Sequence, residues 1–288
     1  MKKESMNYEL LISGLKEQIH SLENSLASTQ VEMNHLKDIF LKHLPHEIRT
    51  PLNVITGLAY ILSKNDQSVQ QKELYTRYIY SNSEDLLTTI ENLVDFSMIK
   101  SGNLQLNKSE FDMNELLDEL YDKFEGERVV QGRYGVKLLL NKFESGKKFP
   151  VYSDPDRIRQ ILIQLLRNSL RFTRKGNITF GYYPEGDSYI KLYVKDTGDG
   201  IDEDLKDFVF DSFRKHHGQP SNKNRGLGMG LALVKEMVVL LGGNSWINSE
   251  KEKGSMISFR IPVKESKSLN ENSVVKKKAI FQGRHITI

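Results

Sequence analysis

Near the N-terminus, apolar side chains recur at alternating steps of four and three residues, and this feature limits the fold of the chain more than any other. The positions are Tyr8, Ile12, Leu15, Ile19, Leu22, Leu26, Met33, Leu36 and Phe40, with Thr29 at the one step that is not apolar. An amphipathic helix on a globular core also shows apolar periodicity, but a strict pattern over about five heptads favours a coiled coil. The sequence therefore predicts a long helix that pairs with a second chain.

A second helical pattern follows a polar break at residues 64–68. Its apolar positions are Leu74, Tyr78, Ile79, Leu86, Leu87, Ile90, Leu93, Val94 and Ile99. We expect this helix to end near Ser101 and Gly102, because glycine commonly terminates helices. Two antiparallel helices in each chain, doubled by dimerisation, predict a four-helix bundle.

From Phe111 onward the pattern changes to mixed helices and strands. Asp112, with Glu115 three residues later, predicts the start of a helix over 113–130. The expected elements after it are a strand over 136–140, a helix over 155–172, strands over 178–183 and 189–195, a helix over 230–241, and strands near Trp246 and over 256–261. Elements in this order predict a two-layer α/β sandwich, followed by a polar, lysine-rich linker over 264–278.

The composition excludes several classes of function. The chain has 41 Lys and Arg against 38 Asp and Glu, a net charge of +3, and both signs are interspersed, so we expect no nucleic-acid partner. It contains no cysteine, which excludes disulfides, thiolate metal sites and a cysteine nucleophile. No apolar run approaches the roughly 20 residues that cross a bilayer, so any membrane attachment would come through missing upstream segments.

His46 is a candidate nucleophile on the first helix. His46 and Thr50 lie four residues apart, off the apolar seam, and are expected to face solvent. An exposed imidazole can attack phosphorus while the neighbouring Glu47 stabilises or removes the ring proton, although a surface histidine beside a glutamate is usually inert. Pro45 and Pro51 indicate either a required bend beside His46 or, for one of them, a helix end.

Asp196 follows a predicted strand and begins a turn that also contains Gly198 and Gly200. A carboxylate at this point can accept a hydrogen bond from an amino group, while the glycines let the backbone approach a flat ligand closely. Ordinary hairpin turns carry the same residues. The turn is therefore a candidate binding element or a plain connection.

Gly226, Gly228 and Gly230 open the predicted helix over 230–241. Successive backbone amides and the positive end of the helix would point toward one place, which suits phosphate. The alternative is a flexible hinge loop. The polar segment 218–225 just before these glycines fits a mobile lid over a ligand.

Gln164, Asn168 and Arg171 share one strip of the helix predicted over 155–172, opposite an apolar face. A neutral amide can bind Mg²⁺ through its oxygen, and an arginine can neutralise phosphate. Such polar residues are more commonly only a solvated face. The strip thus marks a candidate metal and phosphate site.

Together and in this order, these segments resemble the sensor histidine kinases of two-component signalling over about residues 33–263. The similar segments are 46–52 for the phosphoacceptor box, 164–173 for the N box, 196–200 for the first glycine box, 210–213 for the F box and 226–230 for the second glycine box. The resemblance implies an α+β multidomain chain: an N-terminal coiled coil and dimeric four-helix bundle, then a two-layer α/β sandwich of the Hsp90, gyrase and histidine kinase ATPase type. The implied domains are a coiled-coil signalling helix at 1–32, a dimerisation and histidine phosphotransfer hairpin at 33–104, a catalytic ATP-binding domain at 108–263, and a linker with the start of a receiver domain at 264–288.

The resemblance also implies a role for each candidate residue. His46 would be phosphorylated from ATP with Glu47 as the general base, and Thr50 would position water when a phosphorylated partner is dephosphorylated. For the adenine, the resemblance implies that Asp196 binds the amino group and Phe172 packs on the ring, with Gly198 and Gly200 in the same nucleotide-binding turn. For the phosphates, it implies Arg171, the amides of Gly226, Gly228 and Gly230, and Lys215 or Arg214 at the γ-phosphate. Asn168 and Gln164 would bind Mg²⁺. Gln164 departs from the asparagine that is common in the family, and Pro45 departs from a common serine.

The implied partners are a second copy of the chain and a receiver domain, either downstream in cis or in trans. The implied location is the cytoplasm, as a free protein or as the cytoplasmic part of a membrane-bound sensor. A β-branched run near the C-terminus, within 276–288, predicts the first strand of a receiver domain in a hybrid kinase, with a disordered tail or an ordered arm as alternatives.

Two other functions are compatible with parts of the pattern. The first is an ATPase that shares the nucleotide-site design, as in Hsp90, the type II topoisomerases and the mismatch-repair ATPases. The second is a dimeric scaffold or phosphatase-dominant sensor that binds nucleotide without net autophosphorylation. The box around His46, on a helix predicted to dimerise, argues against the first.

Overall fold

The computed structural model of the protein describes residues 14, 16, 18–21, 23, 44–64, 66–143, 146–186, 188–206, 208–210 and 229–263. These residues belong to two compact units, a mainly helical one (the helical unit) within Met1–Leu93 and Phe213–Met229, and an α/β one within Val94–Ser212 and Gly230–Ile288. The heptad pattern over 8–40 lies largely outside the described residues, and residues 264–288 lie wholly outside them. The coiled coil predicted from the heptads, and the linker and receiver strand predicted for 264–288, therefore stay predictions.

The described part of the helical unit includes two continuous helices. Helix α1 covers residues 44–63, and helix α2 covers Val69–Lys100. The backbone N–H of Ser68 donates to Gln71 Oε1 at 3.0 Å, and the N–H of Gln71 donates to Ser68 Oγ at 3.3 Å. This reciprocal capping box starts α2 at the predicted polar break.

Helix α2 ends at Lys100, next to the predicted end at Ser101 and Gly102. Gly102 has a φ of +71°, and its N–H donates to the carbonyl of Ile99 at 3.0 Å. The N–H of Asn103 donates to the carbonyl of Met98 at 2.9 Å, so the last carbonyls of the helix have partners. Among the described residues, no helix has both the length and the apolar character needed to cross a bilayer.

The α/β unit alternates helices and strands in the expected order. Its elements are β1 (Ser109–Asp112), α3 (Met113–Val130), β2 (Val136–Asn141), β3 (Pro150–Ser153), α4 (Pro155–Phe172), β4 (Gly176–Glu185), β5 (Tyr189–Asp196), α5 (Glu203–Lys206), α6 (Gly230–Leu240), β6 (Asn244–Glu250) and β7 (Gly254–Pro262). The sequence did not predict β1, β3 or α5, because each has only four residues and no clear apolar period.

Five strands form one sheet in the order β2-β4-β5-β7-β6, and β1 pairs separately with β3. The β2–β4 pair is parallel, and the other pairs in the sheet are antiparallel. Helices α3, α4 and α6 contact the sheet or one another, with apolar side chains such as Leu117, Ile161 and Leu233 fully buried. This arrangement confirms the predicted two-layer α/β sandwich.

Helix α4 links the sheet to the candidate site. Asp154 caps its N-terminus by accepting from the N–H of Arg157 at 3.1 Å, and Pro155 occupies the first turn, where no N–H is needed. The predicted apolar face is buried, namely Ile158, Ile161, Leu162, Leu165 and Leu166. The opposite strip is thereby held at a fixed position on the sandwich.

The last turns of α2, Val94 onward, belong to the α/β unit. Phe96 is 1% exposed, and Asp95 accepts hydrogen bonds from Arg157 Nη1 at 3.0 Å and from Gln160 Nε2 at 2.5 Å. Lys100 Nζ lies 2.7 Å from Glu236 Oε1 on α6. Both α4 and α6 thus hold the end of α2 by polar side chains.

Candidate functional site

Asp196, at the end of β5, is the centre of a buried polar cluster. The residue is 8% exposed. Its Oδ1 accepts from the N–H of Gly198 at 2.9 Å and from the N–H of Ser255 at 3.3 Å, while its Oδ2 accepts from Ser169 Oγ at 3.1 Å. Three donors, from α4, from β7 and from the turn after β5, therefore fix the plane of the carboxyl group.

Burial raises the pKa of the Asp196 carboxyl above its usual range, and the nearby charge of Asp199 adds to that rise. Hydrogen bonds from Gly198, Ser169 and Ser255 oppose the rise without cancelling it, since each stabilises the ionised form. A carboxylate kept out of water in this way is a strong acceptor for a donor on a ligand.

The two glycines after Asp196 are required by close packing. A Cβ at Gly198 would lie 2.6 Å from the carbonyl oxygen of Phe172. Gly200 has a φ of +66°, and a Cβ there would collide with the carbonyl oxygen of Glu250. We expected these glycines to admit a ligand, whereas the close approach that the structure shows is to backbone of the chain itself.

The polar strip of α4 faces the first residue of α6. A Cβ at Gly230 would lie 3.4 Å from Gln164 Oε1 and 3.9 Å from Asn168 Nδ2. Gln164 is buried, so the strip is not a plain solvated face. The carboxamides of Gln164 and Asn168 therefore lie close to the N-terminus of α6 within the α/β unit.

These carboxamides suit a magnesium ion that is shared with a phosphate ligand. Within the described residues, no group of three or more His, Asp or Glu side chains could hold a metal ion on its own. Magnesium commonly takes only one or two protein ligands and completes its shell with phosphate oxygens and water. The amide oxygens of Asn168 and Gln164 fit such a partial ligand set.

Arg171 and Phe172 end α4 beside the Asp196 turn. The guanidinium carbon of Arg171 lies 5.7 Å from the centroid of the Phe172 ring, a cation–π distance. The Phe172 side chain is 38% exposed although its carbonyl accepts from the N–H of Asp199 at 3.3 Å. An exposed aromatic residue whose backbone contacts the Asp196 turn could pack its ring on a flat ligand.

In the helical unit, His46 is exposed and Glu47 and Thr50 are half-buried. Helix α1 continues past Pro51, so this proline does not end it. Thr50 Oγ1 donates to the backbone carbonyl of His46 at 3.0 Å. The structure therefore confirms the predicted exposure of His46. The Thr50 hydroxyl is hydrogen-bonded to the helix backbone.

Several predicted site residues lie outside the described part of the chain. They are Arg214, Lys215, Gly226 and Gly228, together with most of the F box and the predicted lid over 218–225. Of the second glycine box, the structure describes Met229 and Gly230.

Ser169 is a site residue that sequence reasoning missed. It follows Asn168 directly, yet it falls three or four residues from Leu165 and Leu166, on the buried side of α4. A serine among apolar positions at helical spacing is the signal that could have revealed it, because a buried hydroxyl needs a partner.

Comparison with known families assigns both units. Residues 36–102 match the His Kinase A (phospho-acceptor) domain, and residues 153–265 match the histidine kinase-, DNA gyrase B- and HSP90-like ATPase. The chain belongs to the sensor histidine kinases. Since the phosphoacceptor match includes His46, it argues against the alternative of an Hsp90-type or topoisomerase-type ATPase.

Named histidine kinases are similar over most of the chain. The autoinducer 2 sensor kinase/phosphatase LuxQ of Vibrio cholerae is 31% identical over 230 residues, which are 78% of this chain and 26% of the relative. Hybrid signal transduction histidine kinase B of Dictyostelium discoideum is 32% identical over 243 residues, 80% of this chain and 12% of the relative. The chain thus spans about a quarter or less of the length of these relatives.

A solved structure shares the fold. Histidine kinase ThkA in complex with the response regulator protein TrrA aligns with a TM-score of 0.60 and 22% identity, over 83% of this chain and 65% of that chain. At this identity the likeness concerns the fold alone, a helical segment followed by an α/β sandwich.

Proposed function

We propose that this histidine kinase chain binds ATP at the Asp196 cluster, phosphorylates its own His46 and passes the phosphoryl group to an aspartate of a receiver domain. The observation that carries the proposal is the buried carboxylate of Asp196, held by three donors next to the carboxamide strip of α4. The exposed imidazole of His46 in the matched phosphoacceptor domain supplies the acceptor.

The adenine end of the nucleotide would lie at the Asp196 turn. Asp196 Oδ2 would accept a hydrogen bond from the 6-amino group, and the Phe172 ring would pack on the base. Arg171 approaches the phosphates from the same end of α4. The buried position of Asp196 supports this assignment, because a carboxylate shielded from water binds an amino donor selectively.

The phosphate end would lie toward α6. The proposed phosphate contacts are the amides of Gly226, Gly228 and Gly230, together with Lys215 for the γ-phosphate. Magnesium, when bound, neutralises phosphate charge, and Asn168 and Gln164 would hold it through their amide oxygens. The place shared by Gln164, Asn168 and Gly230 supports this assignment.

The reaction is a phosphoryl transfer from ATP to a nitrogen of His46. A nitrogen–phosphorus bond forms while the bond between the γ-phosphorus and the β–γ bridging oxygen breaks, and ADP leaves. Glu47 takes the ring proton as general base. The catalysis rests mainly on positioning and charge neutralisation.

The active form would be a homodimer. In a single chain, α2 exposes apolar side chains at heptad-like spacing, at Tyr80, Leu87 and Ile90. Packing of these side chains against a second copy of the chain would complete a four-helix bundle within the domain 33–104. A coiled coil at 1–32 would precede the bundle. The predicted heptads over 8–40 support the same pairing.

The partner of the phosphorylated chain would be a receiver domain, and the chain would also act as a phosphatase on that phosphorylated receiver, with Thr50 positioning water. The ThkA structure, which contains a response regulator, and the Dictyostelium hybrid kinase support a receiver partner in trans or in cis. The cytoplasm, where ATP is available, is the proposed location. The ATP-binding domain would cover 108–263, and a receiver would begin within 264–288.

Incubation with γ-labelled ATP tests the proposed activity. We expect label to accumulate on the protein and to be lost in acid but retained in base, as for phosphohistidine. Steady release of phosphate with no protein-bound label would contradict the proposal and would indicate a plain ATPase or a nucleotide-binding scaffold.

A further inference from the structure

Ser169 makes a hydrogen bond that differs from those of five other hydroxyls in the described helices. Helix hydroxyls usually donate to the carbonyl four residues earlier. Five hydroxyls of α1 and α2 do so, at Thr50, Thr56, Thr76, Ser83 and Thr89. Ser169, which is 5% exposed in α4, instead bonds to Asp196 Oδ2, 27 residues away on β5, at 3.1 Å. This bond crosses from a helix to the end of a strand at the candidate site.

The two oxygens of Asp196 have different surroundings. Two backbone N–H groups, of Gly198 and Ser255, donate to Oδ1. An ionised carboxylate only accepts, so Ser169 donates its hydroxyl hydrogen to Oδ2. The hydroxyl thereby fixes the direction of a remaining lone pair on Oδ2, which is the oxygen not held by the backbone.

We propose that Ser169 is a positioning residue that gives the site its selectivity for adenine, by orienting Asp196 Oδ2 toward the 6-amino group of the base. The inference rests on the proposed ATP binding at Asp196. Adenine offers an amino donor at this position, whereas guanine offers a carbonyl oxygen that a carboxylate repels. A fixed acceptor therefore discriminates between purines more sharply than a mobile one.

The ionisation of Asp196 is consistent with this role. Burial raises the pKa of the carboxyl, and the hydrogen bond from Ser169 works against that rise. Once protonated, Oδ2 could donate to Ser169 and would no longer be a good acceptor for an amino group. Ser169 thus favours both the orientation and the charge that the base requires.

Nucleotide affinity tests the role of Ser169 directly. The probes are ATP and purine riboside 5′-triphosphate, which carries hydrogen in place of the 6-amino group. For the unaltered chain we expect ATP to bind about tenfold more tightly than the analogue. Ser169→Ala should weaken ATP about fivefold and leave the affinity for the analogue within about twofold, since the lost hydroxyl acts only through the amino contact.

Two further variants make the comparison specific. Ser169→Cys has nearly the same shape but only a weak donor, so it should reproduce the loss for ATP alone, and it serves if Ser169→Ala does not fold. Ser258→Ala removes another buried hydroxyl of the same unit, on β7, and should change neither affinity.

The other outcomes distinguish failure of the role proposed for Ser169 from failure of the proposed ATP binding. Equal losses for both nucleotides would show that Ser169 is merely structural, and no loss for either would show that it has no role. An unaltered chain that binds both nucleotides equally would remove the contact between Asp196 and the amino group, and the inference with it. An unaltered chain that binds neither would contradict the proposed function itself.

Discussion

Asp196 keeps a carboxylate almost wholly out of water, and burial raises its pKa even though three groups donate to it. A raised pKa means that the folded chain takes up the proton more readily than the unfolded chain. Above that pKa the ionised carboxylate therefore costs stability, and the cost disappears as the pH falls below the usual range of aspartate. The ionised form of Asp196 should therefore lower the folding stability of the chain while it favours nucleotide binding.

Asp196→Asn separates these two effects. The amide oxygen can still accept from Gly198 and Ser255, while the amide nitrogen can donate to Ser169 but not accept from adenine. At pH 7 we expect an unfolding midpoint at or above that of the unaltered chain, with ATP affinity reduced about tenfold or more. The difference in midpoint should shrink in acid. A lower midpoint at pH 7 with full ATP affinity would contradict this reading.

Gly198 and Gly126 form a matched pair for the steric account. Gly198→Ala would drive a Cβ to 2.6 Å from the carbonyl of Phe172, whereas a Cβ at Gly126, in α3, meets nothing within 4 Å. We expect Gly198→Ala to destabilise the α/β unit by about 1–3 kcal/mol and Gly126→Ala to stabilise it by about 0.5–1 kcal/mol. Fluorescence of Trp246, the single tryptophan of the chain, reports denaturant unfolding of this unit. Equal effects of the two changes would count against the packing described for Gly198.

Among the elements, α4 shows what the sequence can and cannot predict. Its apolar spacing predicted both its buried face and the polar strip with Gln164 and Asn168, because helix periodicity determines which side chains share a face. The bond from Ser169 to Asp196 could not be predicted, since it depends on how a strand end approaches the helix. The ribbon of β1 and β3 was missed for a similar reason, because strands of four residues are defined by pairing rather than by their own pattern.

The end of α2 is held to α4 by a polar cluster, which a double-mutant cycle can test. Arg157 and Asp95 are 25% and 16% exposed in their side chains, so water screens their attraction only partly. Asp95→Ala, Arg157→Ala and the double variant should give a coupling free energy of about 1–2 kcal/mol by Trp246 fluorescence. The exposed pair of Lys251 and Asp202 should couple much less. Equal coupling in the two pairs would mean that the cluster does not hold α2.

For the whole molecule, the proposed homodimer would bury the apolar side chains that α2 exposes. Leu87 is 51% exposed, and a charge there would be buried on dimerisation. We expect Leu87→Glu to shift the mass measured by light scattering from dimer toward monomer. Ser81→Glu adds the same charge at an exposed polar position of α2 and should leave the dimer intact. A stable dimer in both variants would place the interface elsewhere.

In the proposed reaction, His46 receives the phosphoryl group from ATP. The most direct measurement is γ-label incorporation into the unaltered chain, into His46→Gln and into His43→Gln, the variant of a neighbouring histidine, with ATP affinity determined for each. We predict that His46→Gln loses all acid-labile label while its ATP affinity stays within a few-fold, and that His43→Gln is labelled like the unaltered chain. Label retained on His46→Gln would show that another residue accepts the phosphoryl group.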